Sequence, residues 1–151
     1  MGKLSERLAG YPTIGIDTSI FIYLFEDHPT YRPLAEEVLS GVESGQWRAI
    51  TSVITLMEIG VRPLQSGRQG VARRYEALLV NFPNLMVVDI NRDVARRAAY
   101  LRAEYRLRPA DALQVAACLW GGARAFVSND RQLARIQALL PVIVLDDTVT
   151  V

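Results

Sequence analysis

Three chemically useful residue types are almost missing from this chain of 151 residues: it has one cysteine (Cys118), one histidine (His28) and one lysine (Lys3). A single cysteine excludes an internal disulfide and any zinc cage built from several thiolates. It makes the cytoplasm the expected location. A lone histidine, next to Pro29 in a loop-like stretch, disfavours catalysis by imidazole. No run of about 18 apolar residues occurs, so no membrane span is expected. The start, Met1 to Arg7, lacks the apolar core of a secretion signal. No repeat, low-complexity run or linker divides the chain. Half of its residues are nonetheless hydrophobic, enough for a single domain over 1–151 with a sizeable core.

What is abundant is arginine. Sixteen of the 17 basic residues are arginines, set against 16 acids, for a net charge of +1. Four of the acids stand at informative places. Asp17 follows the apolar run Ile14 to Ile16, and Asp130 follows Ala125 to Val127. Glu58 interrupts Val53 to Ile59. Asp111 opens the stretch Pro109-Ala110-Asp111-Ala112-Leu113. If those four share one place, 12 acids remain against 17 basic residues elsewhere. An acidic centre ringed by arginine suits an anionic, phosphate-bearing ligand. The plainer reading of any single arginine is a solvated surface charge.

The pattern along the chain alternates strand and helix. Ile14–Asp17 reads as a buried strand and Thr18–Phe25 as a short helix. Pro33–Ser44 is an amphipathic helix with Leu34, Val38 and Val42 four apart, its end loosened by Gly41 and Gly45. Arg48–Thr51 is a second strand. Ser52 caps a helix running to Gly60, and residues 63–70 form a loop. Val71–Asn81 is a helix, Leu85–Asp89 a third strand and Asn91–Arg106 a helix with Val94, Ala98 and Leu101 inward. Pro109 opens a helix to Trp120 that Gly121-Gly122 stops. Ala125–Ser128 is a fourth strand, Asp130–Leu140 a helix and Val142–Leu145 a fifth strand. Such alternation predicts an α/β domain around a mostly parallel sheet covered on both faces.

In a sheet of this kind, functional residues gather beyond the carboxyl ends of the strands. Asp17 and Asp130 fall at such ends. Asp111 lies near a helix start that can face the same crevice, and Glu58 reaches in from a helix face. Carboxylates brought together repel unless a cation intervenes. Oxygen-only donors suit Mg²⁺ or Mn²⁺, and such an ion beside water suits hydrolysis of a phosphate ester. Each acid also has a structural reading. Asp17 and Asp130 are good helix caps, Asp111 suits a helix dipole, and Glu58 fits a solvent-facing helix position.

Four segments carry a resemblance: Ile16-Asp17-Thr18-Ser19, Thr51 to Ile59 with Glu58, Pro109 to Leu113 with Asp111, and Val127-Ser128-Asn129-Asp130. In order and spacing they resemble the PIN-domain nucleases, and within them the VapC-type toxins of toxin–antitoxin pairs. The resemblance implies a PIN-like three-layer α/β domain with a five-stranded parallel sheet in order 3-2-1-4-5. It implies a Mg²⁺- or Mn²⁺-dependent endoribonuclease leaving 5′-phosphate and 3′-hydroxyl ends. Asp17, Glu58, Asp111 and Asp130 would be its metal-site and catalytic residues. It also implies a homodimer and a small VapB-like antitoxin whose tail blocks the acidic groove. DNA would be met only through that antitoxin.

Other residues have weaker expectations. Ser19 could hold a carboxylate or a phosphate, or cap a helix. Asn129 could bond Asp17 or the substrate, or shape a turn. Arg108, Arg131 and Arg135 are the first candidates for RNA phosphate contacts, ahead of Arg73, Arg74, Arg96 and Arg97. Ile20, Phe21, Tyr23, Leu24 and Phe25 exceed the core needs of one short helix, so part of this set is expected to meet a partner. A phosphate-signalling receiver domain would need a late lysine, and none follows Lys3. A haloacid-type phosphatase would need an acid where Ser19 stands. A PIN nuclease of RNA maturation and a catalytically silent RNA-binding module remain the alternatives.

Overall fold

A computed structural model describes residues 3–149. Met1, Gly2, Thr150 and Val151, the ends of the expected domain, lie outside the described residues. The elements in chain order are α1 (Lys3–Leu8), β1 (Thr13–Ile16), α2 (Thr18–Phe25), α3 (Arg32–Glu43), β2 (Arg48–Ser52), α4 (Val53–Gln65) and α5 (Gln69–Val80). There follow β3 (Leu85–Val88), α6 (Arg92–Tyr105), α7 (Pro109–Trp120), β4 (Ala125–Ser128) and β5 (Val142–Val144). Two 3-10 segments, Arg131–Ile136 and Leu145–Thr148, flank β5.

The five strands pair in parallel in the order β3-β2-β1-β4-β5, as expected. Alternation along the strands separates two cores. Ile14, Ile16, Ala125, Val127 and Ile143 pack toward α1, α2 and α3. Phe126, Val142 and Val144 pack on the other face, toward α6, α7 and the 3-10 segment at Arg131–Ile136. Phe21 and Phe126 are fully buried, one in each core, and burial of such a ring contributes roughly 2–3 kcal/mol. Among the described residues no helix is long and apolar enough to cross a membrane.

The helix starts follow capping chemistry. Ser52 accepts the Ile54 N–H, Asn91 accepts the Val94 N–H, and Pro109 occupies the first turn of α7. Gly15 lets α7 lie close to the sheet. A Cβ added there would stand 2.8 Å from Cys118 Cβ and Sγ and 2.9 Å from Phe126 Cδ1.

Several local expectations are corrected. Helix α4 runs on to Gln65 and holds Pro63 inside it, so the connection to α5 shrinks to residues 66–68. Proline at that point forfeits one backbone bond, but its ring is buried, which offsets the loss. The expected helix over Asp130–Leu140 is a 3-10 segment ending at Ile136. Its turns close through shorter bonds, Leu133 N–H to the Asp130 carbonyl and Gln137 N–H to the Ala134 carbonyl. Leu133, Ile136 and Leu140 are still buried, so the apolar spacing served either helix type. Gly41 is not a loose end; it lies buried against the indole of Trp47. Helix α1, which the sequence pattern left unassigned, buries Leu4 and Leu8 in the core shared with α3.

Candidate active site

An open cavity of about 630 Å³ lies at the carboxyl ends of β1 and β4 and brings all four acids onto its walls. Asp17 comes from the β1–α2 junction, Glu58 from α4, Asp111 from the first turn of α7 and Asp130 from the β4 junction. Ser19, Tyr23, Arg108, Asn129 and Arg131 line the same space.

Asp17 is a cap and a pocket acid at once. Its Oδ1 accepts the Thr18 N–H at 2.9 Å, and its Oδ2 accepts the Ser128 hydroxyl at 2.6 Å. Ser128 in turn accepts the Asp130 N–H at 3.1 Å, so one hydroxyl ties two acids of the pocket together. Burial above all, joined by the nearby Asp111 and Glu58 carboxylates, pushes the Asp17 carboxyl up from 3.8 to about 6. The bonds from Ser128 and Thr18 oppose that rise without cancelling it.

Asp130 also caps, accepting the Gln132 N–H at 2.9 Å. Its other oxygen and that of Asp111 share one cation: Arg108 Nη2 stands 3.2 Å from Asp130 Oδ2, and Arg108 Nε stands 3.2 Å from Asp111 Oδ2. These two carboxylates hold the Arg108 guanidinium above its usual range, Asp111 most strongly. The Arg108 side chain is 71% exposed, so it bridges the acids from the solvent side. Glu58 receives one side-chain bond, from the Thr18 hydroxyl at 2.6 Å.

This donor set fits a hard divalent cation. It offers only oxygen, it concentrates mutually repelling carboxylates, and it includes the Ser19 hydroxyl, which is buried without a hydrogen-bond partner. Among the described residues no three acidic, histidine or cysteine side chains stand close enough to cage an ion directly. An ion that keeps several waters, as Mg²⁺ does, spans such a pocket without a tight cage.

Not every expected residue joins the site. Arg131 lines it while pairing with Asp147 at 2.7 Å. Arg135 does not; it hydrogen-bonds the Arg106 carbonyl at 3.3 Å beside a separate hollow with Glu104 and Tyr105. Asn129 reaches the pocket but bonds away from Asp17, donating to Tyr23 at 3.2 Å and accepting the Asp146 N–H at 3.0 Å. In α2, Ile20 and Phe21 are buried, and Tyr23, Leu24 and Phe25 are half-buried against the core. An exposed apolar stripe lies on α4, at Met57, Val61 and Leu64. Sequence reasoning missed Gln114, Thr18 and Thr55, which lie beneath Glu58. The signal was a lone glutamine inside the apolar stretch Leu113 to Leu119.

A parallel α/β sheet gathers four carboxylates at its carboxyl rim, around one open cavity. The model of the PIN domain matches residues 14–139, and the chain belongs to that family. A search of curated protein sequences finds no match. Among solved structures, the chain is similar to a toxin–antitoxin complex from Klebsiella pneumoniae, with 22% identity and a TM-score of 0.64 over 87% of this chain and 97% of that one. It is also similar to VapBC2 from Rickettsia felis bound to a fragment of its promoter, with 18% identity and a TM-score of 0.66 over 87% and 97%. VapC20 of Mycobacterium tuberculosis, a toxin that cleaves the sarcin–ricin loop, shares 16% identity at a TM-score of 0.61 over 75% and 86%.

Proposed function

We propose that this protein is a metal-dependent endoribonuclease and the toxin of a type II toxin–antitoxin pair. The observation that carries this reading is the convergence of Asp17, Glu58, Asp111 and Asp130 on one open pocket, from four separate segments of a PIN domain. Asp17, Asp111 and Asp130 would be the nearest groups to hold Mg²⁺ or Mn²⁺, in part through its waters, with Glu58 binding it directly or through water. When bound, the ion lowers the pKa of water and offsets charge on the phosphoryl oxygens.

The chain's own residues supply the rest. Glu58 orients the attacking water. Ser19, with its hydrogen-bonding capacity unspent, meets the scissile phosphate. Arg108 and Arg131 lie where flanking phosphates enter. Water attacks phosphorus, the bond from phosphorus to the 3′ oxygen breaks, and that oxygen leaves as a hydroxyl. The products are 5′-phosphate and 3′-hydroxyl ends.

Structures of similar fold contain toxin–antitoxin complexes, some on DNA, which supports a small VapB-like antitoxin as partner. The exposed stripe of Met57, Val61 and Leu64 reaches the pocket at Val61 and offers an apolar face to such a partner. The reading includes a homodimer in the cytoplasm. The purified protein with Mn²⁺ and a defined RNA tests it. We expect cleavage that excess EDTA abolishes and fragments bearing 5′-phosphates. Binding without cleavage would favour a silent RNA-binding module. Cleavage with no antitoxin encoded beside the gene would favour RNA maturation.

A further inference from the structure

Beneath Glu58 lies a buried polar layer that the acids do not explain. Thr18, Thr51, Ser52, Thr55 and Gln114 are each 5% exposed or less, where an unpaired polar group is costly. Gln114, on α7, is the hub. The Ser52 hydroxyl donates to Gln114 Oε1. Gln114 Nε2 faces Thr55 Oγ1 at 2.6 Å, Thr51 Oγ1 at 3.2 Å and Thr18 Oγ1 at 3.4 Å, with the Ile16 carbonyl oxygen at 3.5 Å. The reversed amide would set Oε1 against that carbonyl, acceptor to acceptor, so the nitrogen belongs on the threonine side.

Proton counting then sets a direction. Thr51 has one proton and gives it to the Ile16 carbonyl at 3.0 Å, which can only accept. Thr18 gives its proton to Glu58 Oε1 at 2.6 Å. Thr55 must therefore receive from Gln114. It has a single proton for either Thr51, at 2.7 Å, or Thr18, at 2.9 Å. The second N–H of Gln114 serves the one that Thr55 leaves. Every donor of the layer is spent, and one branch ends on Glu58. Asp111 and Asp130 have Arg108 to hold them; Glu58 has Thr18.

We propose that Gln114 is a positioning residue which, through Thr18, directly or by way of Thr55, fixes the Glu58 carboxylate in the orientation that meets the divalent ion or its water. The inference rests on the metal-dependent reading above. Hydrogen-bonding partners behind a metal-site ligand commonly govern affinity by 10- to 100-fold.

Calorimetric titration of the RNA-free protein with Mn²⁺ tests it, with thermal melting to verify folding. Gln114→Met and Thr18→Val, which keep shape and remove the relay, should each weaken Mn²⁺ binding by about tenfold. Thr18→Ser should restore it. The double variant should bind no worse than either single one, since both cut one path. In a Glu58→Gln background, Gln114→Met should change nothing further. A folded Gln114→Met with unchanged affinity overturns the proposal, as does an equal tenfold loss in the Glu58→Gln background. If Gln114→Met does not fold, unchanged affinity in Thr18→Val overturns it. Wild-type protein that binds no Mn²⁺ overturns the metal reading and this inference together. Wild-type binding with indifferent variants overturns the inference alone.

Discussion

The two rims of the sheet use the same strands and carry opposite chemistry. The carboxyl rim holds four carboxylates, two arginines and an unpartnered hydroxyl around its cavity. The amino rim has a cavity of about 360 Å³ lined by Thr13, Arg48, Asn84, Gly121 and strand residues, with no acid among them. Parallel strands account for the contrast. Among the described residues every strand-to-helix junction lies at one rim, so helix starts that need caps gather there, while the helices that lead into a strand end at the other. Asp17 and Ser52 cap α2 and α4 at the carboxyl rim. Under the proposed function, capping and a site role are not competing readings of Asp17: the cap engages Oδ1, and Oδ2, which accepts the Ser128 hydroxyl, stays at the edge of the cavity.

The largest effect should separate the rims outright. Asp17→Asn should lower Mn²⁺-dependent RNA cleavage by more than about a hundredfold, while Arg48→Ala at the amino rim should leave the rate within about twofold. Equal losses from both would end the distinction between rims. Initial rates on one RNA, with both proteins verified as folded, decide it.

Stability should show a second, smaller contrast. The folded-state pKa of Asp17, about 6, lies above its ordinary 3.8, so the folded chain holds that proton more tightly than the unfolded chain. The contribution of this group is complete below about pH 4 and is lost as pH rises through 6. Urea unfolding in EDTA should therefore show Asp17→Asn gaining on the wild type with pH. The gap should be near zero at pH 4 and on the order of 2 kcal/mol at pH 7.5, allowing for solvent screening of a half-buried group. A constant gap across that range would mean that burial does not strain Asp17.

The smallest effect sharpens the boundary of the carboxyl rim. Arg131 lines the cavity and Arg135 does not. Arg131→Ala should weaken RNA binding and flatten its salt dependence by about one unit of slope. Arg135→Ala should leave both unchanged. Filter binding of RNA at several salt concentrations, with Ca²⁺ in place of Mn²⁺, reads the two together.

Much of this was legible in the chain. Apolar runs that end in Asp17 and Ser128-Asn129-Asp130 revealed strands and the rim they meet. The acids' places in the order of elements brought them to one crevice. Other features were hidden for physical reasons. Pro63 reads as a helix breaker, yet one forfeited bond near a helix end is tolerated when the ring is buried. Leu133, Ile136 and Leu140 keep an apolar spacing that an α-helix and a 3-10 helix share. Arg135 looks equivalent to Arg131 in sequence, but its turn aims it at the Arg106 carbonyl. The role of Gln114 depends on hydroxyls from β1–α2, β2 and α4 meeting under one helix, which no local pattern records.

Gly15 lies under the helix that carries one wall of the pocket. Helix α7 rests there on bare backbone, with Cys118 and Phe126 already at the limit of approach, and Asp111 rides at the helix's leading end. A single methyl group under that helix would act as a shim. Cys118 or the Phe126 ring would have to give way, and the strain would fall on the helix that carries Asp111, so a residue sealed in the floor bears on an acidic mouth open to water.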